Sequence, residues 1–189
     1  MMRWLYAGGL LWGTACQHHP LKPPVTPPLA PCPAQTLTSI EAAALGRKGA
    51  TTVDVNRLGE HHSTASLEAG MPMLKKAALH GDVQAMSRYA SLVTWYGFID
   101  NDGEPFLGRS QMENAQEGLL FTILAAHRGR EITVGEEETF RVLLDPTVQF
   151  PEGFLDDASG TAWVFQGWPA ETVDQVRKQA YRWRDCWAE

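Results

Sequence analysis

Six histidines, three cysteines and several acidic pairs are the residues of this chain that could do chemistry. A protein metal site needs three or four ligands converging from set spacings. His18 and His19 lie in a proline-rich run, His61 and His62 follow Glu60, and His80 and His127 stand alone near the ends of predicted helices. No H-E-x-x-H motif and no closely spaced cysteine pair accompanies them, so neither a metal site nor a cofactor is expected. At the two helix ends an imidazolium would suit the negative end of the dipole. Asp100-Asn101-Asp102-Gly103 has the composition of a calcium loop. Placing Gly103 at loop position six puts Phe98 at position one and Arg109 at position twelve, where oxygen ligands are required. A polar turn is the reading that remains. Ser159 lacks the G-x-S-x-G elbow that exposes a nucleophile. Glu136, Glu137 and Glu138 fall at a predicted helix start, where the dipole accounts for them. Asp156 and Asp157 adjoin in a loop without a recognised partner, and no glycine loop could cradle a phosphate. These residues give no reason to expect an enzyme.

The chain carries a formal net charge of −6 without clusters of Lys and Arg. Phosphate neutralisation needs such clusters, so nucleic acid is excluded as a partner.

Export is written at the start. Arg3 precedes the short apolar run Trp4, Leu5, Tyr6, Ala7, Leu10, Leu11 and Trp12, and the small residues Gly13, Thr14 and Ala15 lead to Cys16. This layout resembles a bacterial lipoprotein signal peptide over residues 1–15. The resemblance implies that Cys16 becomes the lipidated first residue of the mature protein. Gly13 stands where the family usually has an aliphatic residue, and Gly13-x-Ala15 also suits cleavage without lipidation. A soluble periplasmic or secreted protein is therefore the alternative. Gln17 follows the cysteine in place of the aspartate that retains lipoproteins in the inner membrane. The resemblance thus implies an outer-membrane lipoprotein facing the periplasm.

If Cys16 takes a lipid, Cys32 and Cys186 remain as a pair near the two ends of the mature chain. An oxidising periplasm permits a disulfide between them. Two unrelated thiols fit the sequence equally, because spacing does not supply the Cα distance that a bridge requires.

Residues 16–36 form a spacer. Seven prolines fall between Pro20 and Pro33, and each fixes φ and removes a backbone donor. Residues 37–189 read as a mostly α-helical domain. Thr38-Ser39-Ile40-Glu41 has capping-box spacing and opens a short helix that Gly46 can end. Residues 47–66 are polar and poorly periodic and read as loop with room for one short helix. Pro72 suits the first turn of a helix running to His80, with Gly81 as its left-handed cap. Asp82 caps the next helix, whose stripe is Ala85, Met86, Tyr89, Leu92, Val93 and Tyr96. Ser110 with Glu113, and Thr133 with Glu136, are two more capping boxes. The segment 161–165 suggests a short strand. Pro169 begins the last helix, with the apolar stripe Val173, Val176, Ala180, Trp183 and Trp187.

Ala77-Ala78-x-x-Gly81 recurs as Ala125-Ala126-x-x-Gly129, each copy at a helix end. With Ala85, Tyr89, Tyr96, Gly97 and Ala115 between them, residues 71–129 resemble the Sel1-like repeat, a relative of the tetratricopeptide repeat. The resemblance implies a short α-solenoid of stacked helix pairs with divergent ends. Proteins of this class are usually adaptors that bind another protein. Some exported members are immunity partners of secreted phospholipases, so a secreted toxin is the specific partner implied. The competing class is an envelope or cell-wall enzyme whose active site no motif marks. For an adaptor, the candidate partner-binding residues are Trp95, Arg88, Tyr89 and Tyr96. Trp95 is the foremost, because it departs from the apolar stripe that holds the two tyrosines.

Overall fold

A computed structural model of the chain describes residues 29–55, 61–99, 105–151, 154 and 167–187. Cys16, the signal segment, residues 16–28, Glu60, Asp100 to Gly103, Asp156, Asp157, Ser159 and the strand expected at 161–165 lie outside the described residues.

Six α-helices make the described fold: α1 Ser39–Asp54, α2 Thr64–Leu79, α3 Val83–Thr94, α4 Gln111–His127, α5 Glu137–Leu143 and α6 Ala170–Arg184. A π-helical turn, Trp95–Ile99, prolongs α3, and a 3-10 turn, Asp185–Trp187, prolongs α6. A β-bridge pairs Phe106 with Arg109. The architecture is mostly α, as the periodicity predicts. Helix α1 packs on α2 and α3 on α4, which makes two hairpins. The contact of α2 with α3 joins them, and α6 packs against α4. None of the described helices is long and apolar enough to cross a membrane.

Local chemistry sets most of the helix ends. Both capping boxes, Thr38 with Glu41 and Ser110 with Glu113, are closed in both directions. Asp82 accepts from the Ala85 N–H at 2.7 Å and starts α3. The ends of α2 and α4 are built alike. Gly81 at φ 87° and Gly129 at φ 93° take the left-handed conformation that glycine allows. The Asp82 N–H then donates to Ala77 O and the Arg130 N–H to Ala125 O, closing the same reverse turn twice.

The first hairpin differs from its sequence reading. Gly46 does not end α1, which runs to Asp54 through both Gly46 and Gly49. The residues expected as loop after 46 therefore include two further turns of helix. A Cβ on Gly49 would lie 2.9 Å from Leu74 N, and one on Gly70 would lie 2.8 Å from Gly49 O. These glycines are there for close helix approach rather than for termination. Helix α2 starts at Thr64, capped by Ser63, so Pro72 sits inside it. Pro72 cannot donate to the carbonyl of Glu68. Both residues are solvent-exposed, so water can satisfy that carbonyl.

Thr133 and Glu136 close a turn rather than cap a helix: the Thr133 N–H donates to Glu136 Oε2 at 3.0 Å and the Glu136 N–H donates to Thr133 O at 3.0 Å. Helix α5 begins only at Glu137. Residues 29–36, read as spacer, are fastened to the domain, as described below.

One core joins the helices. Met71 and Leu74 of α2, Met86, Tyr89 and Val93 of α3, and Phe121, Ile123 and Leu124 of α4 are all at most 1 % exposed. Tyr89 meets Phe121 edge-to-face at 5.2 Å. Burying each such side chain stabilises the fold by about 1.5–3 kcal/mol. The α6 stripe joins this core, with Val173, Ala180 and Trp187 buried and Val176 and Trp183 half-buried.

Candidate functional site

Burying the α3 stripe turns Arg88 and Trp95 toward the other side of the helix. They are seven residues apart, about two turns, and so share a face. Trp95 is 48 % exposed. Arg88 reaches back to α1, with Nη2 donating to Asp54 Oδ1 at 2.5 Å. His62, just before α2, completes the contact, its Nε2 3.0 Å from the same oxygen. Arg88 Nη2 also lies 3.2 Å from Nε2; a carboxylate can only accept, so in the closer contact with Asp54 Nε2 is the donor. Nδ1 is then free to accept from the Tyr96 hydroxyl at 2.8 Å, while the His62 backbone N–H donates to that hydroxyl at 2.8 Å. A relay of Tyr96, His62 and Asp54 results, ending on the Arg88 guanidinium. Partial burial pushes the Asp54 carboxyl up, but the His62 hydrogen bond and the Arg88 charge outweigh it and hold the group below its ordinary value. Tyr96 also lies against Phe106, with ring centroids 6.2 Å apart.

The structure divides the four candidate partner residues. Trp95 is at the surface, Arg88 is partly exposed and tied to Asp54, and Tyr96 is half-buried with its hydroxyl turned to His62. Tyr89, at 1 % exposure, belongs to the core and offers no surface to a partner.

Tyr89 serves a second polar network. Its hydroxyl donates to Glu117 Oε2 at 2.6 Å. Lys75 of α2 pairs with Glu117 Oε1 at 2.6 Å, and Arg109 pairs with Oε2. Arg109 is aimed by a tight turn in which Leu107 and Gly108 both have positive φ and the Phe106 and Arg109 backbones bond reciprocally at 3.1 Å. Burial and the neighbouring Arg109 charge push the Lys75 amine down to about 8. Burial pushes the Tyr89 phenol up, although Arg109 opposes it. The sequence reading did not foresee this network. A tyrosine in a buried stripe needs a partner for its hydroxyl, but nothing local names Glu117.

Arg177 was also unforeseen. It is 3 % exposed and donates to the carbonyls of Val142, Asp145, Pro146 and Val148 and to Asp174. Its guanidinium lies over Phe150, 4.7 Å from the ring centroid. It anchors the chain after α5 to α6.

The two histidines at matched helix ends part company. His80 caps α2, its Nδ1 donating to Lys76 O at 2.7 Å. His127 is partly buried against Tyr181, and burial and the Arg184 charge push its imidazole down. The neutral ring is thus favoured at His127, so the dipole argument for a cation does not hold there. Among the described residues no three His, Cys, Asp or Glu side chains gather closely enough to hold a metal ion.

Cys32 and Cys186 are joined by a disulfide with Cα atoms 5.8 Å apart. Of the two alternatives the sequence left open, this is the bridged one. Comparisons with protein-family models, curated proteins and solved structures find no match to this chain.

Proposed function

We propose that this chain is an exported envelope lipoprotein, anchored through Cys16, whose helical domain is a Sel1-like adaptor for another protein. The docking face centres on Trp95, with Arg88 beside it and Tyr96 beneath. The observation that carries this reading is the 48 % exposure of Trp95 just past a helix whose Met86, Tyr89, Leu92 and Val93 are buried. Exposed aromatics of this kind are favoured anchors of protein interfaces. Arg88 adds a cation already oriented by Asp54. The two alike hairpin ends at Gly81 and Gly129 support the repeat reading. Lipidation, outer-membrane residence and a secreted toxin as partner come from the resemblance in the sequence.

The test has two arms. Labelling with a fatty acid and partition into membranes should both be lost in Cys16→Ser. A co-purifying protein partner should be retained by the wild type and released by Trp95→Ala. Robust hydrolysis of envelope substrates by partner-free protein would count for the enzyme alternative.

A further inference from the structure

Residues 29–36 cross the outside of the domain as a strap. Two ends of the fold hold it. On α6, the Gln179 side chain accepts from the Ala30 N–H at 2.5 Å and donates to Ala30 O at 3.1 Å. The Trp183 indole donates to Pro31 O at 2.9 Å. At the end of α2, the Gln35 amide donates to Leu79 O at 3.0 Å, and the Thr36 N–H donates to His80 Nε2 at 2.9 Å. Between these ends, the Cys32–Cys186 disulfide spans 154 residues of sequence.

The strap is weakly held apart from that bond. Within 29–36 only Pro33 is even half-buried, so little apolar surface leaves water. Its hydrogen bonds face solvent, where water competes for the same groups. Fixing each backbone costs at least as much as such a bond returns. Helix α6 is held differently. Val173, Ala180 and Trp187 are buried in the core, and Arg177 grips the Val142 carbonyl of α5 and three carbonyls after it. None of these Arg177 hydrogen bonds involves the strap.

We propose that Cys32–Cys186 is a redox latch. Oxidised, it seats residues 29–36 across α6 and the end of α2. Reduced, it releases the strap and leaves the helical domain folded. The reductant is a dithiol. One thiolate attacks a bridge sulfur, breaking the S–S bond and forming a mixed disulfide, and the second thiolate displaces the remaining cysteine. Two electrons and two protons pass to the protein, which gains two thiols, and the reductant leaves as a disulfide. Release frees about 25 Å of extended chain at ~3.1 Å per residue. That added reach matters only if Cys16 carries the anchor proposed above, whereas the latch itself does not depend on it.

Pulsed hydrogen exchange on the full chain, oxidised and after dithiothreitol, tests the latch. Short-pulse labelling at Ala30 and Thr36 should accelerate about ten-fold or more on reduction, with α6 unlabelled and the helical circular dichroism retained. The double variant Cys32→Ser, Cys186→Ser should behave as the reduced protein without any reductant. A strap that stays protected in both would overturn the proposal. So would loss of α6 protection together with the strap, since the bridge would then be a staple of the fold.

Discussion

Glu117 and Asp54 each gather an arginine, a second basic side chain and a tyrosine, and they do so at different depths. Glu117 holds Arg109, Lys75 and the hydroxyl of Tyr89. Asp54 holds Arg88 and His62, and His62 passes the contact on to Tyr96. The two tyrosines are seven residues apart along α3 and its extension, so one helix serves both clusters. The side chain of Glu117 is 17 % exposed and that of Asp54 is 47 % exposed. Depth decides what the same chemistry does. Around Glu117, water replaces a lost partner only in part, and the network is structural. Around Asp54, water can replace one, and the network instead sets the posture of a surface that carries Trp95.

Removing each carboxylate or its partners should separate the two clusters. The largest effect is expected for Glu117→Ala, which strands two half-buried cations and a buried phenol. Breaking a fully buried pair costs about 3–5 kcal/mol. Allowing for the partial exposure of Lys75 and Arg109, we expect about 2–3 kcal/mol by urea unfolding. Tyr89→Phe should follow, at about 1.5 kcal/mol for a hydrogen bond to a charged group. If it costs less than Tyr96→Phe, depth is not the deciding variable.

How far the sequence revealed these clusters follows from the range of the interactions. Ser110 with Glu113, Asp82, Gly81 and Gly129 were legible because a cap is settled within three to five residues. Gly46 and Pro72 misled for the same reason. Locally they are helix breakers, but the packing of α1 on α2 and the exposure of Pro72 override the local preference. Trp95 was legible because it leaves a periodic stripe. Glu117, Lys75 and Arg109 were not, since they come from three separate segments that meet only in the fold. His62 adjoined His61 and Glu60 in sequence, yet its partners are Asp54 and Tyr96.

The pH dependence sharpens the contrast. The amine of Lys75 lies near 8 in the folded protein, below its ordinary 10.5. The unfolded chain therefore binds more protons between those values, and stability should rise with pH across that window. Lys75→Met should abolish the rise in denaturant midpoint. The Asp54 carboxyl is also depressed and gives a slope of the same sign, but in an acid window and because its charged form is the favoured one. Its contribution is complete above its ordinary 3.8 and is lost as pH falls through its lower folded value. Arg88→Ala should remove part of that acid dependence. At neutral pH it should cost only about 0.5 kcal/mol, the scale of a solvated ion pair.

The account stands on Trp95 as a surface anchor rather than a core residue. The direct measurement is Trp95→Ala, read by thermal unfolding and by the dissociation constant of a co-purified protein partner. Unfolding should remain cooperative with an almost unchanged midpoint, and partner binding should weaken by about 1–2 kcal/mol or more. Loss of cooperative unfolding, or a dissociation constant equal to that of the wild type, would contradict it.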